Sequence, residues 1–216
     1  MAFAPRKNAL FTRLIAAVLL LAAMVPSAQV AVATAAASAS APMNATTQYR
    51  TSAAALACSR SPVAGFAKKV TLKPGLVFHW KVVRGNMLRG AIIAQATSGA
   101  KNGWISIAWT KRPGKMYPAD AVVGNLPAPT AVKAYAMTGE SSSTVKPSSA
   151  FTVTATTVAR KSRSTVIRFT RSGSSGLSPI NYAGSNNIVW AYSAASSQTF
   201  GYHGANWGSA TINLAC

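Results

Sequence analysis

Acidic side chains are almost missing from this chain: against 22 lysines and arginines stand only Asp120 and Glu140. Glycoside hydrolysis by paired carboxylates and aspartic proteolysis both need two acids that can be brought together. Oxygen-ligand sites for calcium need more. Asp120 and Glu140 are the single available pair, and neither sits in a recognisable motif. Histidine is equally scarce, present only as His79 and His203. A Ser-His-Asp set could be assembled from His203 and Asp120, but no G-x-S-x-G elbow supplies its nucleophile. These absences argue against a hydrolase and against bond-making catalysis in general. Long apolar runs are missing too, since nothing after residue 25 reaches the 18 or so uninterrupted apolar residues of a membrane-spanning helix. Outside the N-terminus no helix-period stretch exceeds two turns.

What is present begins with a targeting signal. Arg6, Lys7 and Arg13 precede an apolar segment from Leu14 to Val25, followed by Pro26 and the small-residue stretch Ala31-Val32-Ala33. The 12-residue apolar core is short for a bilayer span, and the pattern predicts a secretory signal over residues 1–36. The expected location is outside the cell or at its surface or wall. Residues 37–57 are Ala, Ser and Thr with little else, including the sequon Asn44-Ala45-Thr46, and predict a flexible lead-in glycosylated at Asn44. A single domain is then expected over residues 58–216, long enough for one core and too short for two. Loss of Arg6, Lys7 and Arg13 lowers the formal net charge from +20 by three, to +17. For a secreted protein this predicts acidic wall polysaccharide, an anionic membrane surface or an acidic redox partner rather than nucleic acid. In an oxidising compartment Cys58 and Cys216 are expected to pair and close nearly the whole domain, with free or intermolecular thiols as the alternative.

The domain reads as strands. Leu76, Phe78, Trp80 and Val82 alternate with Val77, His79, Lys81 and Val83, so His79 lies on the face opposite Phe78 and Trp80. Strand patterns follow at Leu88–Ala96, Trp104–Thr110, Ala119–Gly124, Thr130–Thr138, Phe151–Ala159, Ser164–Thr170, Asn187–Tyr192 and Gly208–Leu214. Between them lie turn signals such as Lys101-Asn102-Gly103 and clusters such as Gly139–Ser149 and Ser172–Ser185. Many short strands at this spacing predict an all-β antiparallel immunoglobulin-like sandwich.

Two blocks are more specific. The first is GWISIAWTKRPGKMYPADAVVG at Gly103–Gly124, a Gly-Trp strand leading to a loop with Met116, then Ala119, Asp120 and an apolar strand ending at Gly124. The second is NNIVWAYSAASSQTFGYHGANWGSATINLAC at Asn187–Cys216, in which a strand, a loop carrying His203 between Tyr202 and Gly204, and a second strand succeed one another. Together they resemble the DOMON family in its haem-b-binding, cytochrome form, as in plant and algal auxin-responsive-like secreted proteins. The resemblance spans roughly residues 72–214 and is carried by these two blocks. It implies a β-sandwich with a non-covalent haem b whose axial ligands would be Met116 and His203. Trp104, Trp190 and Tyr192 read as core or pocket-wall aromatics, and Trp207 as a side chain that lines the pocket or closes it; all four are candidate cofactor-binding residues. The chain departs from the pattern where Ser106 and Ala108 replace glycines, and where Trp207 occupies a position expected to be polar.

The residues agree with that implication. Thioether and imidazole form a known axial pair for haem iron, with methionine raising the potential, and no C-x-x-C-H is present to attach a haem covalently. His79 is the competing imidazole, but lies mid-strand, away from both blocks. The function expected is one-electron transfer outside the plasma membrane, with ascorbate or a separate membrane cytochrome as partner. The alternative is a haem-free module that binds acidic polysaccharide.

Overall fold

The structure is a computed structural model and describes residues 55–100, 103–124, 132–173, 175–193 and 201–216. The signal segment, the lead-in up to residue 54, the sequon at Asn44 and the Lys101-Asn102 half of one expected turn lie outside the described residues. Two six-stranded sheets face each other. The first is ordered β1 (Ser59–Arg60), β2 (Lys68–Lys73), β3 (Leu76–Val83), β4 (Met87–Gln95), β10 (Ser164–Ser172), β9 (Thr152–Lys161). The second is ordered β12 (Trp207–Asn213), β11 (Ser185–Tyr192), β5 (Ile105–Thr110), β6 (Ala119–Gly124), β7 (Val132–Met137), β8 (Val145–Pro147). Every pairing between these strands is antiparallel. Helix is limited, among the described residues, to single 3₁₀ turns at Ala96–Ser98 and Ser142–Thr144.

Alternation decides which side chains meet between the sheets. Leu76, Phe78 and Trp80 of β3, Ile105, Ile107 and Trp109 of β5, Ile188 and Trp190 of β11, and Ile167 and Phe169 of β10 form one buried cluster. Complete burial of each such side chain contributes about 1.5–3 kcal/mol. Two glycines are needed for close approach. A Cβ at Gly208 would stand 2.3 Å from the Trp190 indole, which lies over it from the neighbouring strand, and one at Gly124 would stand 2.3 Å from Ile167 Cδ1 of the facing sheet, so a larger residue would displace the indole at the first position and push on the other sheet at the second.

Three strands went unread in the sequence. β2, Lys-Lys-Val-Thr-Leu-Lys, offers only Val70 and Leu72 to the core and hides its period among lysines. β1 and β8 are two and three residues long, and β8 ends in Pro147 at a sheet edge, where a missing N–H does no harm. The expected lead-in also gives way before Cys58. Ala55 bridges in parallel to Thr211, and the Leu56 N–H donates to the Thr211 carbonyl at 2.9 Å, so the ordered chain starts by Ala55.

Cys58 and Cys216 are disulfide-bonded across 158 residues. In the chain-entropy account a loop of that length constrains the unfolded state by about 5 kcal/mol. A Cys58→Ser, Cys216→Ser double variant is therefore expected to lose about 4–5 kcal/mol in denaturant unfolding, a large share of the roughly 5–15 kcal/mol typical of a domain. Unchanged stability in the double variant would show that the bond constrains nothing.

His79 is buried under the β1–β2 connection. Its Nδ1 lies 2.9 Å from Ser61 Oγ, its ring is 6.3 Å from Phe66, and Lys69 and Ala91 are its cross-strand neighbours. Burial first, and then the Lys69 charge, push its pKa below the usual imidazole value. A lowered pKa means that the folded state binds fewer protons than the unfolded one, so stability is complete above about pH 6.5 and is lost as pH falls through the folded pKa. Unfolding curves between pH 7.5 and 5, in the range where imidazole titrates, are expected to show declining stability, with a shallower slope in His79→Gln. Equal slopes would remove His79 from the account.

Candidate functional site

The second sheet is covered on both faces. All six residues of β5 and all six of β6 are buried, and a second apolar cluster lies on the sheet's outer side: Trp104, Ala108, Ala119, Ala121, Val123, Met137, Val189 and Ala191, with Met116, Tyr135, Val145 and Trp207 packed against it. Across β12, β11, β5 and β6 the register aligns Trp207, Ala191, Ser106 and Val123 in one row and Ser209, Val189, Ala108 and Ala121 in the next. Small side chains at Ser106, Ala191 and Ser209 make a low floor beside Trp104 and Trp207. Above it lies a cavity of about 940 Å³, near the top of the roughly 300–1,000 Å³ range of cofactor sites. Its walls come from three loops, at residues 113–117, 139–142 and 201–203.

The loop at residues 111–118 is fastened at both ends. Thr110 Oγ1 accepts the Arg112 N–H at 3.1 Å and donates to the Pro118 carbonyl at 3.2 Å, and Ser178 Oγ donates to the same carbonyl at 3.3 Å. The chain leaves this loop through a cis Tyr117–Pro118 bond into β6. There Asp120 turns inward and meets Arg171 from the other sheet, Oδ2 to Nη2 at 3.5 Å, with both side chains fully buried. The Ser178 N–H donates to the same carboxylate oxygen at 2.8 Å. The Arg171 guanidinium lies 4.5 Å over Trp109 and 4.1 Å over Phe151. Burial lowers the Arg171 pKa to about 10, against the opposing pull of Asp120, so the group stays charged at neutral pH. The aspartate is thus the root of the Met116 loop, with no contact to the cavity.

The second loop turns at Gly204, whose φ of +59° is the left-handed conformation that glycine tolerates best. The Asn206 N–H closes it on the His203 carbonyl at 3.1 Å. His203 is half-buried among rings, with Tyr202 at 5.1 Å and Trp104 and Trp207 each at 6.4 Å between centroids. Burial lowers its pKa, and the hydrogen bond to the Gly204 carbonyl partly offsets that shift, so the ring is neutral at pH 7. That bond, 2.8 Å from Nδ1, also fixes the tautomer: a carbonyl can only accept, so Nδ1 carries the proton and Nε2 presents a lone pair.

The Nε2 lone pair faces Met116 Sδ at 3.2 Å, although the two residues are 87 positions apart. A thioether has no proton to give, so two electron-pair donors face each other in contact at the cavity wall. That arrangement fits a soft or borderline metal ion. At 3.2 Å the two atoms are closer than an ion between them would allow, so the loops would have to part to admit one. The donor set of one thioether and one neutral imidazole, a hydrophobic cavity of cofactor size and aromatic walls fit a haem. Met116 and His203 would hold it axially, and Trp104 and Trp207 would lie beside it.

Other expected residues go elsewhere. Trp190 and Tyr192, candidate cofactor-binding residues in the sequence, point from β11 into the core between the sheets. Strand alternation puts them on the face opposite Val189 and Ala191, so they have no access to the cavity. Lys73 Nζ donates to the Tyr192 hydroxyl and stands 4.6 Å over its ring, at the far side of the sheet. His79, on the first sheet, is likewise remote from the cavity lining. Sequence reading missed Met137 and Val145 on β7 and β8, and the Gly139–Ser142 turn between them, all of which line the cavity. Their only signal was the outward parity of Tyr135 and Met137 on β7, and no local motif accompanies it.

No protein-family model matches the sequence, and no curated protein matches it either. Among solved structures, the chain is similar to the cytochrome b domain of pyranose dehydrogenase from Coprinopsis cinerea, with a TM-score of 0.55, 14% identity, and coverage of 74% of this chain and 88% of that one. It is similar to the cytochrome domain of Myriococcum thermophilum cellobiose dehydrogenase at a TM-score of 0.52 and 14% identity, with the same coverage. At this identity the likeness concerns architecture: the chain has the β-sandwich fold of those cytochrome b domains.

Proposed function

We propose that the protein is a secreted b-type cytochrome domain that transfers single electrons outside the plasma membrane, holding haem b non-covalently between Met116 and His203. The observation that carries this reading is the opposition of His203 Nε2 and Met116 Sδ at 3.2 Å inside an aromatic-walled cavity. The fold shared with cytochrome b domains supports it. When bound, haem b supplies an iron that gains and loses one electron reversibly.

The chain's own residues do the rest. The Gly204 carbonyl holds the His203 ring in the tautomer that leaves Nε2 free. Met116, a soft neutral donor, favours the reduced state and raises the potential. Trp104, Trp207 and the small-residue floor exclude water, which stabilises the lower charge. With Met116 and His203 both holding the iron, no open position would be left for oxygen or peroxide, and the protein would act as a carrier. Tyr202, 86% exposed and against the His203 ring, marks the rim where a partner would approach. That partner is ascorbate or a separate membrane cytochrome. Among the described residues no helix is long and apolar enough to cross a membrane.

The test is the absorbance of purified protein incubated with haem b, oxidised and then reduced with dithionite. Sharp α and β bands and a shifted Soret band on reduction are expected. A spectrum identical to free haem would end the cytochrome reading.

A further inference from the structure

We propose that the solvent face of the first sheet binds a linear acidic polysaccharide. Both side-chain acids of the chain belong to the second sheet, Asp120 buried on β6 and Glu140 in the β7–β8 turn. The outer face of the first sheet therefore carries cations and no carboxylate. Its register puts Lys69, His79, Ala91 and Arg168 in one row across β2, β3, β4 and β10. The next outward row is Lys81, Arg89, Thr170 and Thr154, across β3, β4, β10 and β9. At about 4.8 Å between strands and about 7 Å between alternate residues, the cations span roughly 14 by 7 Å. Lys81, Arg89 and Arg168 are exposed. His79 is buried and held neutral by burial, so it adds no charge.

Lys81 sits directly opposite Arg89. Like charges so placed destabilise a sheet, and no acid on this face relieves them. A polyanion lying across the rows would.

The chemistry of the face selects among polyanions. Beside the cations, on β10 and β9, stand the hydroxyls of Thr170, Thr154 and Thr157, which suit a carbohydrate's own hydroxyls. Neither row offers an exposed aromatic side chain on which bases could stack, Phe66 being half-buried against the His79 ring, and a sheet face offers nothing to enter a duplex groove. Membrane docking uses apolar anchors. The one large hydrophobic residue exposed among the described residues, Tyr202, belongs to the other sheet's loops. A chain of uronate residues, flat, hydroxylated and regularly charged, is the occupant that these features fit.

The probe is polygalacturonate, used at low ionic strength and again at about 1 M salt, where screening acts within about 3 Å. Wild type is expected to bind at low salt and to release at high salt. Lys81→Gln/Arg89→Gln/Arg168→Gln is expected to bind roughly tenfold more weakly, and Lys81→Gln alone about threefold, as suits exposed ion pairs. The control Lys111→Gln/Lys133→Gln/Lys146→Gln removes the same charge elsewhere and is expected to lose less than about threefold. A second readout separates binding from structure: the face variant should melt at or above the wild-type temperature, because the Lys81–Arg89 repulsion is gone. Equal losses in face and control variants would overturn the proposal, as would tighter binding to phosphatidylserine vesicles or duplex DNA. Haem plays no part, so protein without haem should bind equally well. Failure of the spectral test leaves this surface standing, and failure here leaves the cytochrome reading standing.

Discussion

His203→Ala is expected to lose haem retention by at least about 100-fold, beyond the 10–100-fold that loss of a supporting hydrogen bond to a ligand costs. The imidazole is the stronger donor of the pair, and its replacement leaves only a neutral thioether to hold the iron. Met116→Leu is expected to behave differently. Leucine keeps the apolar volume and His203 remains, so haem stays bound while the midpoint potential falls by on the order of 100 mV, part of the roughly 0.8 V that axial ligands command. Both substitutions lie on surface loops, and neither should shift unfolding free energy by more than about 1 kcal/mol. Gel filtration after haem loading, followed by redox titration monitored at the Soret band, separates the two effects. Full haem retention in His203→Ala, or an unchanged potential in Met116→Leu, would remove that side chain from the iron.

The second large effect lies beneath the site. Arg171→Met is expected to destabilise the domain by about 3–5 kcal/mol, because it leaves Asp120 charged, buried and facing an apolar core. The pair itself is not ideal: Asp120 Oδ1 and Arg171 Nε have no hydrogen-bond partner among the described residues. Its retention therefore reflects placement more than net stabilisation. Asp120 stands at the start of the core strand β6 and, through the Ser178 N–H, fixes the root of the Met116 loop. The double variant Arg171→Met/Asp120→Leu, which removes both charges, is expected to recover most of the loss in denaturant unfolding. It should still hold haem more weakly than wild type, because the loop root has lost its anchor. A double variant as unstable as Arg171→Met alone would show that packing of the long side chain between Trp109 and Phe151, rather than its charge, is what matters.

Much of this was legible in the chain. Alternation at residues 76–83 and 104–110 located strands and put His79 opposite Trp80, because a period of two is local and survives in any sheet. Met116 and His203 stood out because they fall, in the expected order, in the two blocks that carry the family resemblance. Trp190 and Tyr192 were misplaced for a related reason. Alternation separates a strand's two faces but does not say which one meets the other sheet. On β11 every residue from Ile188 to Tyr192 is buried, so the contrast of polar and apolar that would have named the inner face is absent. The Met137–Val145 wall was invisible because it depends on a turn folding back across the sheet.

Sequence by itself determined the class of the fold, the poverty of acids that rules out hydrolytic machinery, the two candidate donors and the two cysteines. Tertiary structure decided that β5 lies between β6 and β11, and this neighbourhood brings a thioether and an imidazole 87 residues apart to 3.2 Å. It also put the cavity on the outside of the second sheet and the unopposed cations on the outside of the first. The reason is that pairing order and facing are set by the summed burial of distant side chains, and no local stretch of sequence encodes that sum.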